Sequence, residues 1–86
     1  MTHLMKVTCA GQAQVTITLG GDRLRFVDGS ASALVEPGEH PFIWVAAGEV
    51  GTRYSVAIVE PSKAFFQHAA VLDESGRDAG IYWVSL

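Results

Sequence analysis

Gln14-Val15-Thr16-Ile17-Thr18-Leu19-Gly20-Gly21-Asp22-Arg23-Leu24-Arg25-Phe26-Val27 is the stretch that decides the fold. Val15, Ile17 and Leu19 alternate with Thr16 and Thr18, the period-two pattern of a strand with one apolar face. Gly20-Gly21-Asp22 follows with residues that accept positive φ, as a tight hairpin requires. Leu24 and Phe26 then alternate with Arg23 and Arg25, so a return strand is expected over residues 23–27.

Outward from this hairpin, turn signals recur about every 8–12 residues, the spacing of an all-β sandwich or barrel. Upstream, residues 4–10 read as a strand broken by Gly11 and Gln12. Downstream, Asp28-Gly29 is a second hairpin signal, and residues 31–36 form a small-residue strand. Pro37-Gly38 suits a type II turn, with proline presetting φ and glycine taking the positive-φ position. Residues 40–46 turn Phe42, Trp44 and Ala46 one way and Ile43 and Val45 the other. Both faces are apolar, which predicts a strand that is central or covered twice. Gly48-Glu49-Val50-Gly51-Thr52 reads as a long hairpin loop before a further strand over 53–60. Pro61-Ser62-Lys63 turns the chain. Residues 64–72 are read as strand rather than short helix, because Phe65, Phe66, Val71 and Leu72 outweigh the alanines, Gln67 and His68. Residues 73–78 are the most polar segment, and 81–86 form the last strand. The expected fold is all-β: one antiparallel β-sandwich of seven or eight strands, filling a single domain over residues 1–86.

Ala33-Leu34-Val35-Glu36-Pro37 matches Ala57-Ile58-Val59-Glu60-Pro61, and Phe42 and Phe66 keep the same spacing. Two strands ending in shared turn chemistry explain this, and so does a duplicated strand–turn–strand unit. Two copies are too few for a solenoid.

The chain has 86 residues, 49% of them hydrophobic and only 17% charged, where ordinary soluble domains carry about 25% charged. A compact chain of this mass exposes roughly 4,900 Å². The net charge of −3 argues against a nucleic-acid footprint, which needs clustered lysine and arginine to neutralise phosphates. The N-terminal residues lack the basic stretch and apolar block of a signal peptide, and no apolar run reaches membrane-spanning length. A cytoplasmic or assembly-bound location is the expectation.

The residues that carry chemistry do not gather along the chain. Cys9 stands alone and is expected to pack as a small hydrophobe. His3, His40 and His68 form no local metal motif; His40 is expected to cap the strand after Pro37-Gly38. The carboxylates fall at predicted turns and strand ends, where solvated charge is the simple explanation. No serine sits in a nucleophile elbow, and the Gly48–Gly51 loop lacks the lysine of a phosphate loop. No enzyme activity, metal or cofactor is expected.

Val15-x-Ile17-x-Leu19-Gly20-Gly21, then Leu34-x-x-Pro37-Gly38-x-His40-x-Phe42-x-Trp44 with Gly48 beyond, resembles PEGA-type and related small bacterial β-sandwich modules. The resemblance covers about half the chain. It departs from the family where Ala31-Ser32-Ala33 replaces the usual Thr-Pro before the leucine strand. It implies a sandwich fold and a non-catalytic scaffold or binding role, with no individual functional residue carried over.

Bulk composition carries the functional expectation. Several strands are apolar on both faces, charges are few, and Lys6 and Lys63 are the only lysines available to guard sheet edges. The chain is therefore expected to be a protein–protein interaction or structural module that self-associates or joins a larger assembly. Trp44, Tyr54, Tyr82, Trp83 and one of Phe65 and Phe66 are the candidate contact residues, with Arg23 and Arg25 as a polar rim. Tyr82 and Trp83 are adjacent, so one should face the core and the other the surface. The alternative is a small carbohydrate-binding, lectin-like module that stacks an exposed Trp or Tyr on a sugar ring.

Overall fold

Alternation along the second strand turns Ile17 and Leu19 fully inward and leaves Thr16 and Thr18 half-exposed. A computed structural model describes residues 2–86; Met1, the first residue of the N-terminal segment read above, lies outside them. Among the described residues the chain forms β1 (His3–Gly11), β2 (Gln14–Leu19), β3 (Asp22–Arg23), β4 (Ser30–Val35), β5 (Glu39–Ala47), β6 (Arg53–Glu60), β7 (Phe66–Val71) and β8 (Arg77–Ser85). One sheet has the order β4-β1-β6-β7 and the other β3-β2-β5-β8, with antiparallel pairing throughout. The fold is a two-layer, all-β sandwich. No helix among the described residues is long and apolar enough to cross a membrane.

Both glycine-bearing hairpin signals work as expected. Gly20 and Gly21 have φ of 60° and 91°, and Asp28 and Gly29 have 53° and 78°. Positive φ at both central residues is the turn whose twist matches flanking strands. Asp28-Gly29 closes the small bridge between Val27 and Ser30.

The connections differ from the sequence reading in several places. The return strand stops at Arg23: after the Leu24 N–H donates to the Ile17 carbonyl (2.9 Å), the chain leaves this sheet for β4. Leu24 and Phe26 still pack on the core, so their alternation survives without the ladder. Gly48–Thr52 is not a hairpin; it carries the chain from β5 in one sheet to β6 in the other. Pro37-Gly38 also crosses between sheets, with Gly38 at φ 125°. The β4 and β6 ends that share Leu/Ile-Val-Glu-Pro therefore lead to different connections, since β6 turns back to pair with β7. A 3-10 turn over Ser62–Ala64 reaches into the first residue of 64–72, and strand runs only from Phe66 to Val71.

The last strand begins at Arg77, earlier than expected, because the polar turn is compact. The Asp73 carboxylate accepts from the Ser75 N–H (2.9 Å) and the Ser75 hydroxyl (2.6 Å), and these bonds hold its pKa below the usual carboxylate value. Gly76 N–H closes the turn on the Asp73 carbonyl.

The core lies between the sheets, with Met5, Val7, Val56 and Ile58 facing Ile17, Phe42, Trp44 and Val84. β5 is central by pairing but covered on one side only: Ile43 and Val45 reach solvent. A two-layer sandwich covers each sheet once, so the second apolar face of β5 has nothing to pack on. The accessible surface is 5376 Å², above the roughly 4,900 Å² of a compact chain of this mass.

Trp44 pairs with Gly80 across β5 and β8, and its indole lies over the glycine. A Cβ at position 80 would come within 2.7 Å of the indole Cε2 and Cη2. Gly80→Ala is therefore expected to destabilise the fold by about 1–3 kcal/mol through overpacking, measured by urea unfolding.

Candidate functional site

The β5–β8 register sets side chains directly opposite one another on the outer face. Pro41 pairs with Trp83, Ile43 with Ile81 and Val45 with Ala79. Opposite residues on one face stand about 4.5–5.5 Å apart at Cβ, so the three pairs form one continuous apolar strip. Trp83 is 57% exposed and Ile81 54%. Polar residues close the strip at both ends: Glu39 pairs with Ser85, and Arg77 with Ala47. Thr16 and Thr18 of β2 flank it, and Arg23 lies beyond Thr18. Elsewhere exposed apolar side chains are more scattered, such as the Leu4–Leu34 pair on the other sheet, Val71 and Val50.

β8 is also an edge strand. Leu86 and Gly38 exchange both backbone bonds (2.9 Å each), and Gly48 donates to Gly76 (3.0 Å) in the same register. Antiparallel ladders alternate between bonded and non-bonded pairs. The even-numbered residues of β8 therefore bond to β5. Arg77, Ala79, Ile81, Trp83 and Ser85 aim their N–H and C=O groups at the open edge.

A polar cluster sits on the inner side of the same strand. Tyr54 on β6, His68 on β7 and Asp78 on β8 meet at the Tyr54 hydroxyl, with Trp44 behind. Trp44 Nε1–H donates to it (3.2 Å), and Tyr54 donates to Asp78 Oδ2 (2.5 Å). The single phenolic proton being committed to Asp78, His68 Nε2 (3.2 Å) must be the donor in its bond to the hydroxyl. Burial, reinforced by donation to Asp78, pushes the Tyr54 pKa up to about 12. The cluster joins the sheets where β7 faces β8. The phenol is held neutral, and its oxygen is fully engaged.

The structure separates the predicted contact residues. Trp44 and Tyr54 are 5% and 2% exposed, so they belong to the core and not to a contact surface. Their bulk fills the space between the sheets, and their polar atoms satisfy each other. Phe66 and Tyr82 are half-buried and stacked, with centroids 4.2 Å apart and planes 14° apart. Phe65 and Trp83 are exposed, so each neighbouring aromatic pair splits between inside and outside. Arg23 is exposed at the far margin of the strip's sheet. Arg25 lines a shallow depression with Val15, Thr16, Leu24 and Phe26, away from Trp83.

Cys9 is half-buried, and burial raises its thiol pKa. His40 lies beside the turn as expected, its Nε2 2.7 Å from the Glu36 carbonyl. Among the described residues no three of His, Cys, Asp and Glu gather around a common point. The sequence reading missed the Tyr54–His68–Asp78 cluster. Its signal was parity: His68 shares the parity of inward Phe66 and Ala70, and Asp78 that of inward Gly80, Tyr82 and Val84.

Comparison with protein families, curated proteins and solved structures finds no match.

Since the neutral phenol is favoured in the folded state, its stabilisation is complete below about pH 10 and declines as pH rises towards 12. Tyrosinate absorbance is expected to show a group ionising near 12 that is missing in Tyr54→Phe. The same variant leaves the buried Trp44 N–H without an acceptor and is expected to cost about 1–3 kcal/mol in urea unfolding.

Proposed function

We propose that the chain is a non-catalytic association module that binds through the outer face of the β3-β2-β5-β8 sheet and takes itself as partner. The carrying observation is the uncovered strip of Pro41, Ile43, Val45, Ala79, Ile81 and Trp83. It exposes on the order of 400 Å² of side chain, within the range where a monomer's largest apolar patch is often functional. A surface tryptophan surrounded by aliphatic neighbours is the usual centre of an energetic hot spot. Likeness to PEGA-type modules over half the chain supports the same non-catalytic role.

A carbohydrate-binding role is the second reading. It is favoured by one feature: the exposed Trp83 ring lies next to the polar Glu39–Ser85 pair. The rest of the strip offers few hydrogen-bonding groups for a sugar's hydroxyls, which is why self-association ranks first.

Light scattering at tens of micromolar is expected to give a mass above the 9.2 kDa of one chain. Trp83→Ala should weaken association at least tenfold with little loss of stability, because the ring packs on the outside. A monomeric mass, together with tryptophan quenching by sugars that Trp83→Ala abolishes, would replace this reading with the carbohydrate one.

A further inference from the structure

Resting on the association reading above, we infer that the second copy is joined edge to edge through β8, antiparallel, about a two-fold axis at Ile81. The strip alone covers about half of the roughly 800 Å² that each partner gives to a standard interface. Edge pairing adds backbone hydrogen bonds, and of the strip only the β8 row packs against its mate, side by side.

Among the sheet edges of the described residues β8 is the longest. It runs nine residues, against six in β7 and two in β3. At its start the Ser75 hydroxyl accepts from the Arg77 N–H and donates to the Arg77 carbonyl, and Asp78 Oδ1 accepts from the Ala79 N–H. β4 is partly closed by the Val27–Ser30 bridge. The open side of β8 presents the Ala79 carbonyl and the backbone groups of Ile81, Trp83 and Ser85, and the side chains of these residues occupy the outer face. A long, apolar edge of this kind invites pairing. Ile81 is the midpoint of Arg77–Ser85, so a dyad there uses the whole strand once the bonds of Ser75 to Arg77 and of Asp78 to the Ala79 N–H are exchanged for bonds to the partner.

The side chains suit this register. Ile81 meets the partner's Ile81. Ala79 meets the partner's Trp83, a small residue beside a large one. Arg77 meets the partner's Ser85, so no like charges face each other. Because Glu39 pairs with Ser85, Arg77 lies in line with the partner's Glu39 one strand further on. Opposite charges thus flank the join at both ends, within the same rows.

The result is a continuous sheet in which two strips merge into one apolar band across β5-β8-β8-β5. The contact is isologous, so it closes at two copies and uses up the edge that created it.

Thiol cross-linking tests the arrangement in the full chain with Cys9→Ser. Edge pairing at the dyad places the two Cα atoms of residue 81 about 5.5 Å apart, within disulfide geometry. Ile81→Cys is expected to yield a covalent dimer with mild oxidant or a short bis-maleimide. Val45→Cys lies on β5, three strand spacings across and four residues along from its mate, about 20 Å in all, and is expected to remain uncoupled by disulfide. Ile81→Lys should raise the dimer dissociation constant at least tenfold.

An associated protein that cross-links through Val45→Cys but not Ile81→Cys would overturn edge pairing in favour of face-to-face stacking, with the association reading intact. An associated protein that cross-links through neither would also overturn it. A chain that stays at one-copy mass throughout would overturn both proposals.

Discussion

The indole of Trp44 can lie between the sheets only because its N–H has an acceptor and its ring has a floor. Tyr54 supplies the acceptor, and Gly80 the floor. Tryptophan and tyrosine bring large apolar area with a polar tip that must be satisfied when buried. Here the two tips satisfy each other, and the surplus capacity of the phenol reaches Asp78 and His68. One hydroxyl therefore connects β5, β6, β7 and β8, which belong to two different sheets. Phe42, Phe66 and His68 pack around the same ring, with centroids 4.8–6.1 Å from it. Among the described residues no buried side-chain polar atom is without a partner.

Much of the architecture was legible in the sequence because it rests on local signals. Alternation in Val15–Leu19 located β2, and an apolar run after the glycine-rich loop located β6. Gly20-Gly21 and Asp28-Gly29 located the two tight turns. What the sequence could not show was which sheet each strand joins. Gly48–Thr52 looks like a hairpin loop because its glycines permit either connection, and the choice depends on where β6 finds partners. Residues 24–27 keep their strand-like alternation because burial of Leu24 and Phe26 needs only the period, not the ladder. β8 was shortened in the sequence reading because Arg77, Asp78 and Gly80 have weak strand propensity; pairing with β5 overrides it.

The candidate site divides along the same line. Adjacent aromatics had to split between inside and outside, and both Phe65/Phe66 and Tyr82/Trp83 do so. Trp44 and Tyr54 were legible as strand residues facing one way. That this way is inward depends on the opposite sheet. The excess of apolar strand surface was visible as composition. Only the register shows that it collects into paired rows on β5 and β8 while the outer face of the other sheet carries Lys6, Gln67 and Arg53 among its residues.

β8 writes two messages in alternating letters. Its even positions hold the fold, through Asp78, Gly80, Tyr82 and Val84. Its odd positions face outward, in rows opposite Pro41, Ile43 and Val45. Mutational drift at odd positions therefore alters the outer face more than the core. Such a strand separates two traits that most small domains must evolve together.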